Sequence, residues 1–363
     1  MSYKLYTMTQ LTVSYRVYSS LLSRQFLCAN LKLKFYNSNR FNAYRGIITS
    51  VSSTSDYCRD LVKKYDFHNY LIGLLLPTQY RAGYFAIRSF NIEIATIKDQ
   101  TKSNLIAAKV RFQWWKDIIE EIYTIKERNN KDNKNEPNKV TVTTSYSNQP
   151  VAQELAGIIN NYNISRKWFD RSIDARQKDL ISEIPESIND LEDYGENGHS
   201  SILYLLLEMM NIKDEKSFYA ASHVGVSSGI VTLLRGHVFH TSNSTIYIPQ
   251  NLMTKYNLTT KSILNGPNKT TSEQHDGIKK ALFDIASQAY GHIDMANKIL
   301  IKDDLNKQTI YCLLPAVSNS LYLRDFRIAD CDPFNKSLLL EKSHLNYQIK
   351  LIQSIWTNKV LYD

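Results

Sequence analysis

The sequence predicts an all-α fold. Only 12 glycines and 8 prolines interrupt 363 residues, so few positions force a helix to stop. Apolar residues recur at helical spacing in three separate stretches. Hydrophobic content is 43%, enough to bury a sizeable core, and no composition shift after Val151 marks a second unit. A single helical domain spanning residues 57–363 is therefore expected.

The first 55 residues stand apart. They carry seven basic side chains (Lys4, Arg16, Arg24, Lys32, Lys34, Arg40 and Arg45), and the first acid of the chain is Asp56. An acid-free, arginine-bearing segment rich in Ser and Tyr reads as a mitochondrial transit peptide, here over about residues 1–50. Of 44 basic side chains in all, those seven leave 37 against 35 acids, a net of about +2 for the rest. That balance offers no phosphate-tracking surface, so nucleic acid is not expected as a partner.

From about Tyr57 the pattern is helical. Ile106, Val110, Trp114, Ile118 and Ile122 form a first stripe. Ile278, Leu282, Ile285, Ala289, Ile293 and Ala296 form a second, and Leu345, Ile349, Ile352 and Trp356 a third. All three are expected to pack into the core. Between the first two, Lys126–Lys139 is Asn/Lys-rich and has no apolar anchor, so about residues 126–150 are expected to form a solvated loop. Alternation in Val140-Thr-Val-Thr-Thr is a faint strand signal. Cys28, Cys58, Cys312 and Cys331 show no metal-ligand spacing, and no unbroken apolar run approaches the ~18–20 residues of a membrane span.

Two segments carry the functional signal. The first is Arg88-Ser-Phe-Asn91-Ile-Glu93-Ile-Ala95-Thr-Ile-Lys-Asp99, and the second is Gly229-Ile-Val-Thr-Leu-Leu-Arg235-Gly236-His-Val-Phe-His240. On a helix, residues i, i+4 and i+8 share a face. Asn91, Ala95 and Asp99 therefore line one stripe, and Thr232, Gly236 and His240 another. Glu93 points to a different face. His237 and His240 lack a third ligand nearby in sequence for zinc. Arg81, Arg88 and Arg235 are candidates to contact an anion or partner, or to pair with buried carboxylates.

These segments resemble the metal-binding helices of squalene and phytoene synthases, in which each helix carries a D-x-x-x-D pair. Tyr70-Leu-Ile-Gly-Leu-Leu-Leu-Pro77, Arg111-Phe-Gln-Trp-Trp115-Lys-Asp117 and Ile246-Tyr-Ile-Pro249 fit the same superfamily. The four motif positions read Ala95, Asp99, Gly236 and His240, so three of the four carboxylates are missing. Magnesium prefers oxygen ligands in octahedral geometry, and this set supplies them poorly. Ala86-Ile-Arg88-Ser-Phe-Asn91-Ile-Glu93-Ile-Ala95, Gly229–Arg235 and Asp284–Ala289 resemble one branch more closely, the mitochondrial complex I assembly factor 6 family. The resemblance implies an isoprenoid-synthase-type helical bundle around a central cavity and no metal or cofactor. It also implies an early role in building respiratory complex I, with complex I subunits or assembly intermediates as partners and a matrix-side position peripheral to the inner membrane. An isoprenoid remains a possible ligand, and a prenyl-diphosphate transferase is the alternative activity.

Overall fold

The computed structural model describes residues 53–101, 104–132, 144–181, 183–303, 305–339 and 344–362. The expected transit peptide and the second half of the Asn/Lys-rich segment Lys126–Lys139 lie outside these residues, as does all but the last position of the Val140–Thr144 strand signal. Among the described residues every regular element is helical, as expected.

Helix α1 spans Thr54–Tyr65 and starts three residues before the expected Tyr57, because the Ser53 side chain accepts the Asp56 amide and caps it. Helices α2 (Phe67–Leu75) and α3 (Thr78–Ala95) are divided at Pro77, which fixes an extended turn before α3. A short α4 (Ile97–Thr101) follows, then α5 (Leu105–Asp132). The chain continues through α6 (Pro150–Asn161), α7 (Arg166–Asp179) and α8 (Ile188–Gly195). A π-helical segment, Glu196–Ser200, joins α8 without a break to α9 (Ser201–Met209). Helix α10 covers Glu215–Arg235, and the short α11, α12 and α13 cover His237–Ser242, Gln250–Lys255 and Thr260–Leu264. The 31-residue α14 (Ser272–Lys302) packs along α10, followed by α15 (Thr309–Leu313), α16 (Pro315–Ile328), α17 (Lys336–Leu339) and α18 (His344–Thr357).

Helix α10 is the hub. It touches α8, the π-segment, α9, α14 and α16. By length and composition, with a mean hydropathy of 1.2, it is apolar enough to cross a bilayer, although no single uninterrupted apolar run in the sequence is. Two-thirds of that stretch is buried inside the protein, which accounts for its composition as core. The approach of α10 to α8 and the π-segment is backbone on backbone. A Cβ on Gly229 would come within 2.4 Å of the Gly195 Cα, and one on Gly225 within 2.4 Å of the Ser200 Cα. Glycine is required at these positions because the helix axes leave no room for a side chain.

Three expectations change. The loop expected from Lys126 begins later, since α5 runs to Asp132; Lys126 Nζ donates to the Ile159 and Tyr162 carbonyls at the end of α6, which anchors this turn of helix. The first stripe is only half core. Ile118 and Ile122 are buried, but Ile106, Val110 and Trp114 are exposed. A strict four-residue spacing rotates around the helix, by about 160° from the first to the last of these residues. The third stripe is not core: Leu345, Ile349, Ile352 and Trp356 all face outward, while Tyr347, Leu351 and Ser354 on the opposite face of α18 are buried. The second stripe is fully buried, as expected.

Candidate functional site

The two motif segments lie at the end of α3 with α4 and at the end of α10 with α11. Each is interrupted by one residue, Thr96 and Gly236. Hydrogen bonding passes through both interruptions. Thr96 N–H donates to Ile92 O at 3.1 Å and Gln100 N–H to Thr96 O at 3.0 Å; Gly236 N–H donates to Thr232 O at 3.0 Å and His240 N–H to Gly236 O at 2.8 Å. The i, i+4 relation expected from the sequence therefore survives across each break.

The side chains on these stripes are poor metal ligands. Asn91 Oδ1 is buried and has no hydrogen-bond partner among the described residues. Ala95 offers a methyl group. Asp99 is exposed; burial of its surroundings raises its pKa, Lys98 opposes this, and Asp179 adds to it. At Gly236 a Cβ would meet the His240 Nε2 at 2.4 Å. The imidazole thus folds back over the glycine and also meets the Tyr247 ring, 4.7 Å away edge-on, and the Phe239 ring at 5.7 Å. Burial lowers the His240 pKa to about 4, with Asp179 opposing and Lys98 assisting, so the ring is neutral at pH 7.

A cation is nevertheless present beside these helices, and it belongs to the protein. Lys98 Nζ donates to the Asp179 carboxylate at 3.0 Å, to the Asp179 carbonyl at 2.9 Å and to the Tyr247 hydroxyl at 3.2 Å. The Tyr247 hydroxyl in turn donates to Asp179 Oδ1 at 2.9 Å. This ties α4 to the end of α7 and to the segment after α11. The ammonium is held by three oxygens and a charge-assisted geometry. Sequence reasoning weighed Asp99 and passed over its neighbour Lys98. Nothing in the spacing of residues 98, 179 and 247 joins them, so no sequence signal could have found the network.

The arginines divide. Arg81 Nε donates to Leu76 O at 2.7 Å and so caps the end of α2. Arg88 is buried, with its guanidinium carbon 5.8 Å from the Tyr84 ring centre and Nε 3.5 Å from the Tyr84 hydroxyl. Arg235 donates to Ser318 O at 2.9 Å and sits 4.8 Å over the Tyr322 ring. Its side chain keeps accessible surface, yet burial lowers its pKa; the two together fit a residue on the wall of a recess. Among the described residues neither Arg88 nor Arg235 joins an ion pair, and both sense Asp66 and Tyr347. Buried Arg88 and accessible Arg235 therefore both lack a direct counter-charge among the described residues.

Magnesium, which the synthase resemblance would place here, does not fit this donor set. Ala95 and Gly236 supply no ligand, His240 covers the second position, and Lys98 already neutralises Asp179. Among the described residues no group of three or more His, Cys, Asp or Glu side chains is arranged to hold a metal ion. His237 faces Phe334 rather than a shared site with His240.

Two other polar clusters had no sequence signal. A surface groove of about 800 Å³ is lined in part by Trp168, Arg171, Glu196, Tyr204, Glu208 and Phe218. Glu196, at the start of the π-segment, accepts from the Tyr204 hydroxyl at 2.8 Å, Ser222 Oγ at 2.7 Å and Arg171 Nη2 at 3.0 Å. Glu208 accepts from the Ser165 amide and hydroxyl and from Trp168 Nε1. Both carboxylates are thus satisfied from within. Elsewhere His223 and His292 meet through their Nδ1 atoms at 2.8 Å, and His292 Nε2 lies 3.0 Å from Glu192.

Comparison with known proteins fits this geometry. Residues 62–346 match the family described as squalene/phytoene synthase. The chain is 33% identical over 287 residues to bovine (Bos taurus) "NADH dehydrogenase (ubiquinone) complex I, assembly factor 6", covering 79% of this chain and 78% of that one. The human protein of the same name is 33% identical over 285 residues, covering 78% and 77%. Among solved structures, a dehydrosqualene synthase superposes with a TM-score of 0.66 at 17% identity, covering 84% of this chain and 96% of the other; this likeness concerns the fold alone.

Burial lowers the pKa of His68, His223, His237 and His240 to about 4 each, against an ordinary value of about 6.5. Between these values the unfolded chain binds protons that the native protein refuses, so stability present at pH 7 is lost as pH falls through that window. The urea midpoint should drop from pH 7 to pH 5, and His240→Gln should flatten the drop. A midpoint insensitive to pH would show these rings to be solvated.

Proposed function

We propose a function from one premise: the chain belongs to the squalene/phytoene synthase family and, within it, groups with the complex I assembly factor 6 proteins. It serves as an assembly factor for mitochondrial respiratory complex I, acting early, as a scaffold and not as a catalyst. The observation that carries this reading is the Lys98–Asp179–Tyr247 network beside Ala95, Gly236 and His240. The helical framework of a synthase is kept, while the place for metal chemistry holds a protein ammonium and a neutral imidazole. Function has to be argued from the site and not from the fold, and this site is suited to binding. Deleting the gene should lower assembled complex I while the other respiratory complexes stay near normal, and Asp99→Ala should leave complex I assembly nearly unchanged. A general respiratory loss, or full loss of complex I in Asp99→Ala, contradicts the reading.

The N-terminal basic segment is taken as the mitochondrial address, and the protein works on the matrix side in peripheral contact with the inner membrane. Helix α18 supports that contact. Ile349, Ile352 and Trp356 point outward, the last 85% exposed; Lys350 and Lys359 accompany them, and no acid occurs from His344 to Tyr362. A basic amphipathic helix with an exposed indole suits an anionic bilayer surface. The full chain should float with vesicles containing anionic lipid, and Trp356→Ser should float far less; equal flotation would remove α18 from the contact.

A second form of the reading is a module that binds an isoprenoid. Buried Arg88 and accessible Arg235, neither paired with a carboxylate among the described residues, favour a ligand with an anionic head. Lipid extracted from protein purified out of mitochondria and analysed by mass spectrometry should then contain a prenyl chain, and lipid-free protein would exclude it.

A further inference from the structure

Glu93 lies on α3 within the branch-specific Asn91–Ala95 signature, yet it plays no part in the network around Lys98. Its side chain lines a different concavity, a pocket of about 390 Å³ shared with Ile97, Val110, Arg111, Trp114, Trp115 and Gln149. Among the described residues its carboxylate accepts no hydrogen bond and joins no ion pair. Arg111, the cation nearest to hand, is drawn away: its Nη1 donates to Gln100 Oε1 at 2.6 Å. Burial accordingly raises the Glu93 pKa, with Arg111 opposing only through space. A half-buried carboxylate without a direct partner is costly, and among the described residues the Arg111 charge offsets that cost only through space.

The surroundings indicate what would offset it. Trp114 and Trp115 stand edge to face, with ring centres 5.0 Å apart, at the pocket wall. Indole faces attract cations. Running away from the pocket along α5 are Val110, 62% exposed, and Ile106, 77% exposed, on the turns before Trp114. These are the residues of the first stripe that the core does not take up. The volume is at the small end for a ligand pocket, enough for one long side chain. A recessed carboxylate would repel an anionic lipid surface.

We infer that this pocket is a docking site for a partner polypeptide, with a lysine or arginine side chain entering beside the accessible Trp114 ring to meet Glu93 and neighbouring apolar residues lying along Val110 and Ile106. The site goes beyond the assembly reading in naming where a partner binds and by what chemistry. It would also give the glutamate of the Asn-x-Glu-x-Ala signature a role of its own.

The test uses the full chain and two blocked pentapeptides, acetyl-Leu-Leu-Lys-Leu-Leu-amide and the same peptide with norleucine for lysine, followed by tryptophan fluorescence and calorimetry. The lysine peptide should bind at least ~10-fold more tightly than the norleucine peptide, the scale of one desolvated charge pair. Glu93→Gln should erase the difference, and Glu93→Lys should transfer the preference to a peptide with glutamate at the central position. Val110→Ser, on an exposed surface that the fold does not need, should weaken both peptides alike. Equal binding of the two peptides, a preference that survives Glu93→Gln, or no binding of the lysine peptide would overturn the assignment. None of these outcomes bears on whether deletion impairs complex I, so the pocket and the assembly role fail separately.

Discussion

The crossing of α10 over α8 and the π-segment positions everything else in the site. Gly195, Gly225 and Gly229 let two backbones meet with no side chain between them. Interiors are close-packed and shift little, so this contact fixes the height and rotation of α10, and with them Arg235, Gly236 and His240 at its far end. The π-segment belongs to the same arrangement. Its extra residue per turn, rare in helices and common at functional sites, turns Glu196 toward Tyr204, Ser222 and Arg171. That locks α8 and α9 against α7 and α10.

The sequence was a good guide where a pattern is local. Ile278 to Ala296 mixes steps of four and three, which keeps one face turned to the core, and that face is buried throughout. Ile106 to Ile122 uses steps of four alone, so the stripe leaves the core at its N-terminal end. Leu345 to Trp356 keeps a proper seam, but α18 has a second apolar face, and Tyr347 and Leu351 occupy the core contact. Periodicity finds a face and cannot say which of two faces has a partner. The missing carboxylates at Ala95, Gly236 and His240 were legible because a motif's absence is itself local. Lys98, Asp179 and Tyr247 were not, because they come together only when α4, the end of α7 and the segment after α11 converge.

That convergence changes the meaning of the lost acids. Here Asp179 is neutralised by Lys98 and hydrogen-bonded by Tyr247, and the space beside Gly236 is taken by the His240 ring. The site is rebuilt around an internal ion pair. Among the described residues, the charges left without an ion pair include Arg88 in the interior, Arg235 at an accessible position and Glu93 in its own pocket.

The claim that this synthase framework no longer performs synthase chemistry is tested most directly by incubating the purified full chain with magnesium and farnesyl or geranylgeranyl diphosphate and measuring released diphosphate. The internal Lys98–Asp179 pair and the ligand-free positions Ala95 and Gly236 predict no release above magnesium and substrate alone. Diphosphate release that depends on the protein would contradict the account.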